Sequence, residues 1–309
     1  MKGLELSRRF YESIGKQMID DVFPSYAGRV ACGLVGEGSE CFGFDDELSQ
    51  DHDFGAAFCM WLTDGDYDEI GQPLNDSYMS LPDSFLGFPR RDLNAYDEQR
   101  VGAMRISDFY LKFTGCPAAP QTIAEWRMIP ESFLAVATNG EVFRDDLDAF
   151  SEVRSALLAF YPEDIRLKKL AARVATMAQS GQYNFKRCMD RRETVAASLA
   201  LSEFIKSACS AVFLLNKKYM PFYKWAHRGL KALPLVSEAW ALSEAIVSGG
   251  TADSAKTLDN IEALSDAVLR ELKAQNLTYG DDDFLLPHAD VIMQHITDPV
   301  IAGLHIFAE

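Results

Sequence analysis

Apolar positions near the start of the chain recur at helical spacing. Leu4, Phe10, Tyr11, Ile14, Met18, Ile19 and Val22 fall on one face, so a helix is expected from about Leu4 to Phe23, ending before Pro24. The pattern then changes. Arg29–Val35 and Asp53–Leu62 are nearly continuous apolar runs, as expected for central strands of a sheet covered by helices. Between them lies a small-residue turn and a short polar segment. From Thr63 to Asp76 the chain reads TDGDYDEIGQPLND, acidic and rich in turn formers, which predicts an exposed loop. Its likeness to a calcium loop fails, because the glutamate at the last loop position is missing. Leu81–Arg91 reads as a rigid excursion. Its Arg90 and Arg91 either reach a phosphate or sit as ordinary surface arginines.

Val101–Ile106 reads as a further strand, followed by a helix from Ser107 or Asp108 to Phe113 that stops at Gly115. Ala119–Pro130 and Glu131–Thr138 read as short helical pieces, ended by Asn139-Gly140, and Gly140–Asp145 as a short strand. After Asp146 the periodicity is helical to the end. Helices are expected over Leu147–Tyr161, from Pro162 to about Gln179, and through a long, well-buried stretch marked by Val195, Leu199, Phe204, Val212 and Leu215. Others follow at Leu235–Val247, Ser254–Gln275 and Asp283–Thr297. The expected fold class is therefore α+β: a mixed sheet with flanking helices over residues 1–146, then an all-α bundle over 147–309.

Composition narrows the function classes. The 309 residues carry a formal net charge of −16. A surface dominated by a nucleic-acid groove needs dense Lys and Arg, so nucleic acid is not an expected partner. A local basic pocket for one nucleotide remains open. The six cysteines, at 32, 41, 59, 116, 188 and 209, include no closely spaced pair and read as buried thiols of a reducing compartment. The first residues lack the apolar core of a signal peptide, and no uncharged apolar run reaches the ~18 residues of a membrane span. A cytoplasmic location is the expectation.

The candidate chemistry lies in Gly36–Gly55, GEGSECFGFDDELSQDHDFG. A Gly-Ser turn lets backbone N–H groups and a hydroxyl approach a phosphate. On an extended strand Asp51 and Asp53 share one side, with His52 opposite. Two adjacent carboxylates suit Mg²⁺ (or Mn²⁺), which completes its shell with water and substrate phosphates. The alternative is an ordinary turn and helix cap followed by two solvated aspartates.

This stretch resembles the signature of the nucleotidyltransferase superfamily related to DNA polymerase beta: Gly-Ser, a short spacer, then Asp-x-Asp. That superfamily includes the antibiotic nucleotidyltransferases. More narrowly, the stretch is similar to a bacterial family of unassigned function with a helical C-terminal domain. The resemblance implies transfer of an NMP, AMP above all, from an NTP to a small-molecule acceptor. It places Mg²⁺ on Asp51 and Asp53 and the phosphates on Gly38 and Ser39. It also implies that a Lys and a Tyr of the helical domain grip the nucleotide, here Lys217, Tyr219 and Lys224. The alternative for those three is a solvated helix terminus with aromatic packing. The superfamily's third carboxylate has no counterpart in VGAMRI. That departure leaves a nucleotide-binding regulatory protein open, and a toxin-type enzyme acting on tRNA or protein is a third reading. Glu193 and Glu203 are read as pairing groups, and the scattered histidines as unconnected with metal.

Overall fold

The computed structural model describes residues 1–50, 54–91, 94–95 and 98–308. Their contacts divide the chain into two units. The first comprises Met1–Glu125 with Phe133–Ala159, and the second Trp126–Ser132 with Phe160–Glu309.

The first unit is built on a four-stranded mixed sheet in the order β7-β2-β1-β8. Its strands are β1 (Ala31–Leu34), β2 (Cys59–Leu62), β7 (Gly102–Arg105) and β8 (Glu141–Arg144); the two-residue strands β3 (Ser84–Phe85), β4 (Phe88–Pro89), β5 (Asn94–Ala95) and β6 (Glu98–Gln99) lie between β2 and β7 in sequence. β1 pairs antiparallel with both β2 and β8, and β2 pairs parallel with β7. Both central strands are buried along their full length, as their unbroken apolar character predicts. Side chains alternate across β2. Phe58, Met60 and Leu62 join the core formed with the N-terminal helix, where Phe10 and Tyr11 pack on Phe58. Trp61 faces the other way. It stacks on Phe150 of α7 (Ala149–Leu158) at 3.9 Å and meets Phe109 of α4 (Ile106–Thr114) edge-on. The sheet is thus covered on both faces.

The N-terminal helix runs as expected, in three consecutive parts: α1 (Gly3–Phe10), a π-helical turn at Tyr11–Gly15, and α2 (Lys16–Val22). Gly15 has no room for a side chain, because Phe58 occupies that space.

Three expectations need correction. Thr63–Asp76 is not a loop. It forms most of α3 (Asp64–Met79), which Thr63 caps by accepting the Asp66 N–H. Two of the acidic residues that suggested a loop, Asp64 and Asp66, sit in the first turn, where they complement the helix dipole. Ile70, Leu74 and Tyr78 are buried at helical spacing, and that packing overrides Gly71 and Pro73. The run ahead of β2 is not regular strand either: Ala56 makes a single bridge with Arg90 before pairing begins at Cys59.

In the second unit, the helix opened at Glu163 does not stop near Gln179. It continues from α8 (Glu163–Met177) through a π-helical segment, Ala178–Phe185, into α9 (Lys186–Asp190). Gly181 admits the Phe204 ring of α10 (Thr194–Leu215) where a stop was expected. α10 is buried mainly in its C-terminal half, while Val195 and Leu199 are exposed. It is long and apolar enough to cross a membrane. It nevertheless carries Glu203 and Lys206, and most of its apolar window is buried within the second unit. Later helices include α11 (Tyr223–Leu230), α12 (Ala239–Gly249), α13 (Ser254–Ala274) and α14 (Leu285–Gln294). Replacing Phe150 by Ala removes the stacking partner of Trp61 and is expected to cost about 3–5 kcal/mol, read by urea unfolding. A loss below ~1 kcal/mol would show that α7 is not part of this core.

Candidate functional site

The chain leaves β1 through Val35 and turns at Gly36, whose φ of +150° suits glycine. Asn139 clamps that peptide from both sides. The Gly36 N–H donates to Asn139 Oδ1 at 3.0 Å, and Asn139 Nδ2 donates to the Gly36 carbonyl at 2.7 Å. Next to it, the Gly140 N–H donates to the Cys41 carbonyl at 2.8 Å. Gly38 then leads into a 3₁₀ turn, Ser39–Phe42. A side chain at Gly38 would overlap the carboxylate of Glu40.

That carboxylate is buried, and the guanidinium of buried Arg91 donates to it at 2.6 Å. The Arg91 N–H donates to the Ala56 carbonyl at 3.2 Å, and the Ala56 N–H to the Pro89 carbonyl at 2.9 Å. Gly55 lies so close to the Pro89 carbonyl that a Cβ would overlap it. Arg91 therefore ties the turn after β1 to the chain that enters β2.

Strand directions gather four segments at one end of the sheet. Antiparallel β1 and β2 place the exit at Gly36 beside the entry from Phe54 to Phe58. Parallel β2 and β7 add the start of β7, and β8 adds Asn139-Gly140. A cavity of about 170 Å³ opens there, lined in part by Gly36, Glu37, Arg100, Arg105, Asp108 and Lys112. Lys112 Nζ lies 3.1 Å and Arg100 Nε 3.7 Å from the Glu37 carboxylate. Arg105 pairs with Asp68 at 2.6 Å and covers the Tyr67 ring at 4.6 Å. Three cations, Arg100, Arg105 and Lys112, thus stand at this wall among the carboxylates of Glu37, Asp68 and Asp108.

Asp51, His52 and Asp53 lie outside the described residues. Gly38 and Ser39 sit together on the clamped turn. Among the described residues, neither the N–H nor the hydroxyl of Ser39 has a hydrogen-bond partner. Lys217, Tyr219 and Lys224 belong to the second unit. Tyr219 is buried, stacks on Phe160 at 4.7 Å and meets Tyr161 edge-on at 5.1 Å. Its burial pushes the phenol well above its ordinary range, so it stays neutral. Lys217 is exposed, 3.9 Å from Glu163, and Lys224 is exposed in the first turn of α11 beside the Trp225 ring. The two lysines stand on separate elements.

Arg90 is committed to structure. It donates to the carbonyls of Met79 at 2.7 Å and Leu81 at 2.8 Å, closing the end of α3, and pairs with Asp83 at 3.2 Å. β7 carries no acid, and Asp108 lies in the first turn of α4. Among the described residues no group of three His, Cys, Asp or Glu side chains could hold a metal. Burial pushes the Cys59 thiol up to about 12 and raises Cys32 and Cys41 as well, so these thiols are not nucleophiles at neutral pH. Sequence reasoning missed Asn139, Arg100, Lys112 and the Glu40–Arg91 pair. Asn139-Gly140 was visible only as a helix stop.

Residues 126–226 match the model of a domain of unknown function, DUF4037. No curated protein matches the chain. A nucleotidyltransferase-like protein from Exiguobacterium sibiricum 255-15, known from its crystal structure, is 11% identical. That match covers 84% of this chain and 78% of that one, with a TM-score of 0.36.

Replacing Arg91 by Met leaves the Glu40 carboxylate buried without its guanidinium and is expected to cost about 3–5 kcal/mol in urea unfolding. The double change Glu40→Leu/Arg91→Met should recover most of that loss. An Arg91→Met protein as stable as the wild type would refute the tie.

Proposed function

We propose that the chain is a Mg²⁺-dependent nucleotidyltransferase that moves an NMP, AMP first among the candidates, from an NTP to a hydroxyl or phosphate of a small acceptor. One observation carries the reading. The Gly-Ser turn and the chain from Phe54 to Phe58 meet at one end of a mixed sheet, beside a small cavity lined by Arg100, Arg105 and Lys112.

In this reading Asp51 and Asp53 hold the metal, which neutralises phosphate charge and aligns the attacking oxygen. The N–H and hydroxyl of Ser39, with the backbone at Gly38, receive phosphate oxygens. The Asn139 clamp and the Glu40–Arg91 pair hold that turn in place before substrate arrives, so little ordering is left for the binding step. Arg100, Arg105 and Lys112 are the cations at this cavity that would exchange a carboxylate partner for a phosphate. Lys217 and Lys224 are retained as candidate contacts to the nucleotide from the second unit. Tyr219 is better placed to pack than to stack on a base.

A second reading has its own support. The strand β7 reads GAMR, without the acid that would serve as third ligand or base. A regulatory protein that binds a nucleotide without turning it over would keep the turn and the two aspartates and dispense with that acid.

The test is calorimetry of ATP, GTP, CTP and UTP binding with and without Mg²⁺, on the wild type and on Asp51→Asn/Asp53→Asn. Metal-dependent binding of an NTP is expected, and its affinity should fall by at least about tenfold in the double variant. Binding indifferent to both metal and aspartates, or no NTP binding at all, would refute the metal assignment. Pyrophosphate release in the presence of an acceptor separates the enzyme from the regulator.

A further inference from the structure

The second unit contains a much larger cavity, about 980 Å³, lined entirely by its own residues. Its charge balance opposes that of the whole chain. Arg127, Lys169, Arg173 and Lys206 face it against one carboxylate, Glu131, whereas the chain overall has 30 Lys and Arg against 46 Asp and Glu. Two of these groups are buried in its wall: Lys169, which lies 5.4 Å from the Tyr161 ring, and Glu131.

A hydrogen-bond network fixes this floor. Ser210 Oγ donates to the Glu131 carboxylate at 2.8 Å, Arg173 Nε donates to the same hydroxyl at 2.8 Å, and Arg173 Nη2 stands 3.6 Å from Glu131. Arg173 is therefore held in one orientation by Ser210 and Glu131.

Much of the remaining wall is apolar, with Ser198, Ser202 and His227 among its polar members. Leu201, Ile205 and Met220 line it, together with Met128, Phe222 and Tyr223, which are largely exposed. Large exposed apolar side chains around a concave, basic floor are the features of a ligand site. The volume suits a drug-sized molecule, for which cavities of about 300–1,000 Å³ are usual. The stretch matching the domain of unknown function, 126–226, supplies most of the lining.

We propose that this cavity binds a small amphipathic organic anion. Its carboxylate or phosphate monoester head would meet Arg173 and Lys169, and its apolar or aromatic body would lie against Met128, Phe222 and Tyr223. The proposal does not rest on the nucleotide reading, because no residue of the Gly36–Gly55 stretch contributes to the cavity.

The test uses the full-length protein and three probes that share one aromatic body: naphthoate, naphthyl phosphate and the neutral naphthyl methanol. Calorimetry should show the anions binding about 10–100-fold more tightly than the alcohol, the difference expected of one charge-assisted contact. The tighter anion identifies the head group. Ser202→Trp, at an exposed lining position, should block both anions without unfolding the protein. Lys206→Glu, also exposed, should weaken them about two- to fivefold, as an exposed charge does. Asp51→Asn/Asp53→Asn should leave their binding unchanged. Equal binding of the neutral alcohol, or anion binding that survives Ser202→Trp, would overturn the proposal. Displacement of the aryl anions by ATP with Mg²⁺ would also overturn it, by making this cavity the nucleotide site.

Discussion

The candidate site depends on one buried ion pair. Placing Glu40 and Arg91 in the interior removes both from water, a penalty that their attraction offsets only in good geometry. Their 2.6 Å contact meets that condition. Arg91 also makes a backbone bond to Ala56, so a single residue joins the turn after β1 to the entry of β2. The glycines around it follow from this closeness. Gly38 leaves space for the Glu40 carboxylate, and Gly55 lets the Pro89 carbonyl approach. An apolar pair of similar volume would be as stable, but it would not fix the position of a polar turn from within.

Around that tie, the sheet acts as a jig. The side chains of β2 are divided between two helical layers, and Trp61 is held by Phe109 and Phe150 on the face opposite Phe58. With the strands fixed, the loops at one end have defined relations to one another, and Asn139 adds the last restraint on Gly36. Function at such an end requires little from the strands beyond rigidity. The helical unit has a different logic. Its polar groups at Glu131, Arg173 and Lys169 lie in a cavity wall that its own helices build, with Ser210 buried behind them.

Much of this was legible from residue order. The unbroken apolar runs of β1 and β2 announced a covered sheet. Gly115 marked the end of α4, and Gly36–Ser39 read as a turn, while the Asp-x-Asp half of the motif lies outside the described residues. The failures have physical causes. In α3, acids at a helix start look like acids in a loop, and only the burial of Ile70, Leu74 and Tyr78 separates the two. Gly181 looked like a stop because sequence does not show the Phe204 ring that requires it. Arg90 and Arg91 are adjacent and of one type, yet the first closes α3 and the second crosses to Glu40. That distinction is tertiary. So is the role of Asn139, which acts on a residue more than a hundred positions away in the chain.

In the proposed function, phosphate and metal meet at the Gly36–Ser39 end of the sheet. Paramagnetic broadening of backbone amide resonances by Mn²⁺ with ATP tests it most directly, because Mn²⁺ can replace Mg²⁺ and reports its own position. The account predicts that broadening centres on Gly38, Ser39, Phe54 and Gly55, extends to the start of β7, and disappears in Asp51→Asn/Asp53→Asn. Broadening centred on α10 and α11, or left intact by those substitutions, would contradict it.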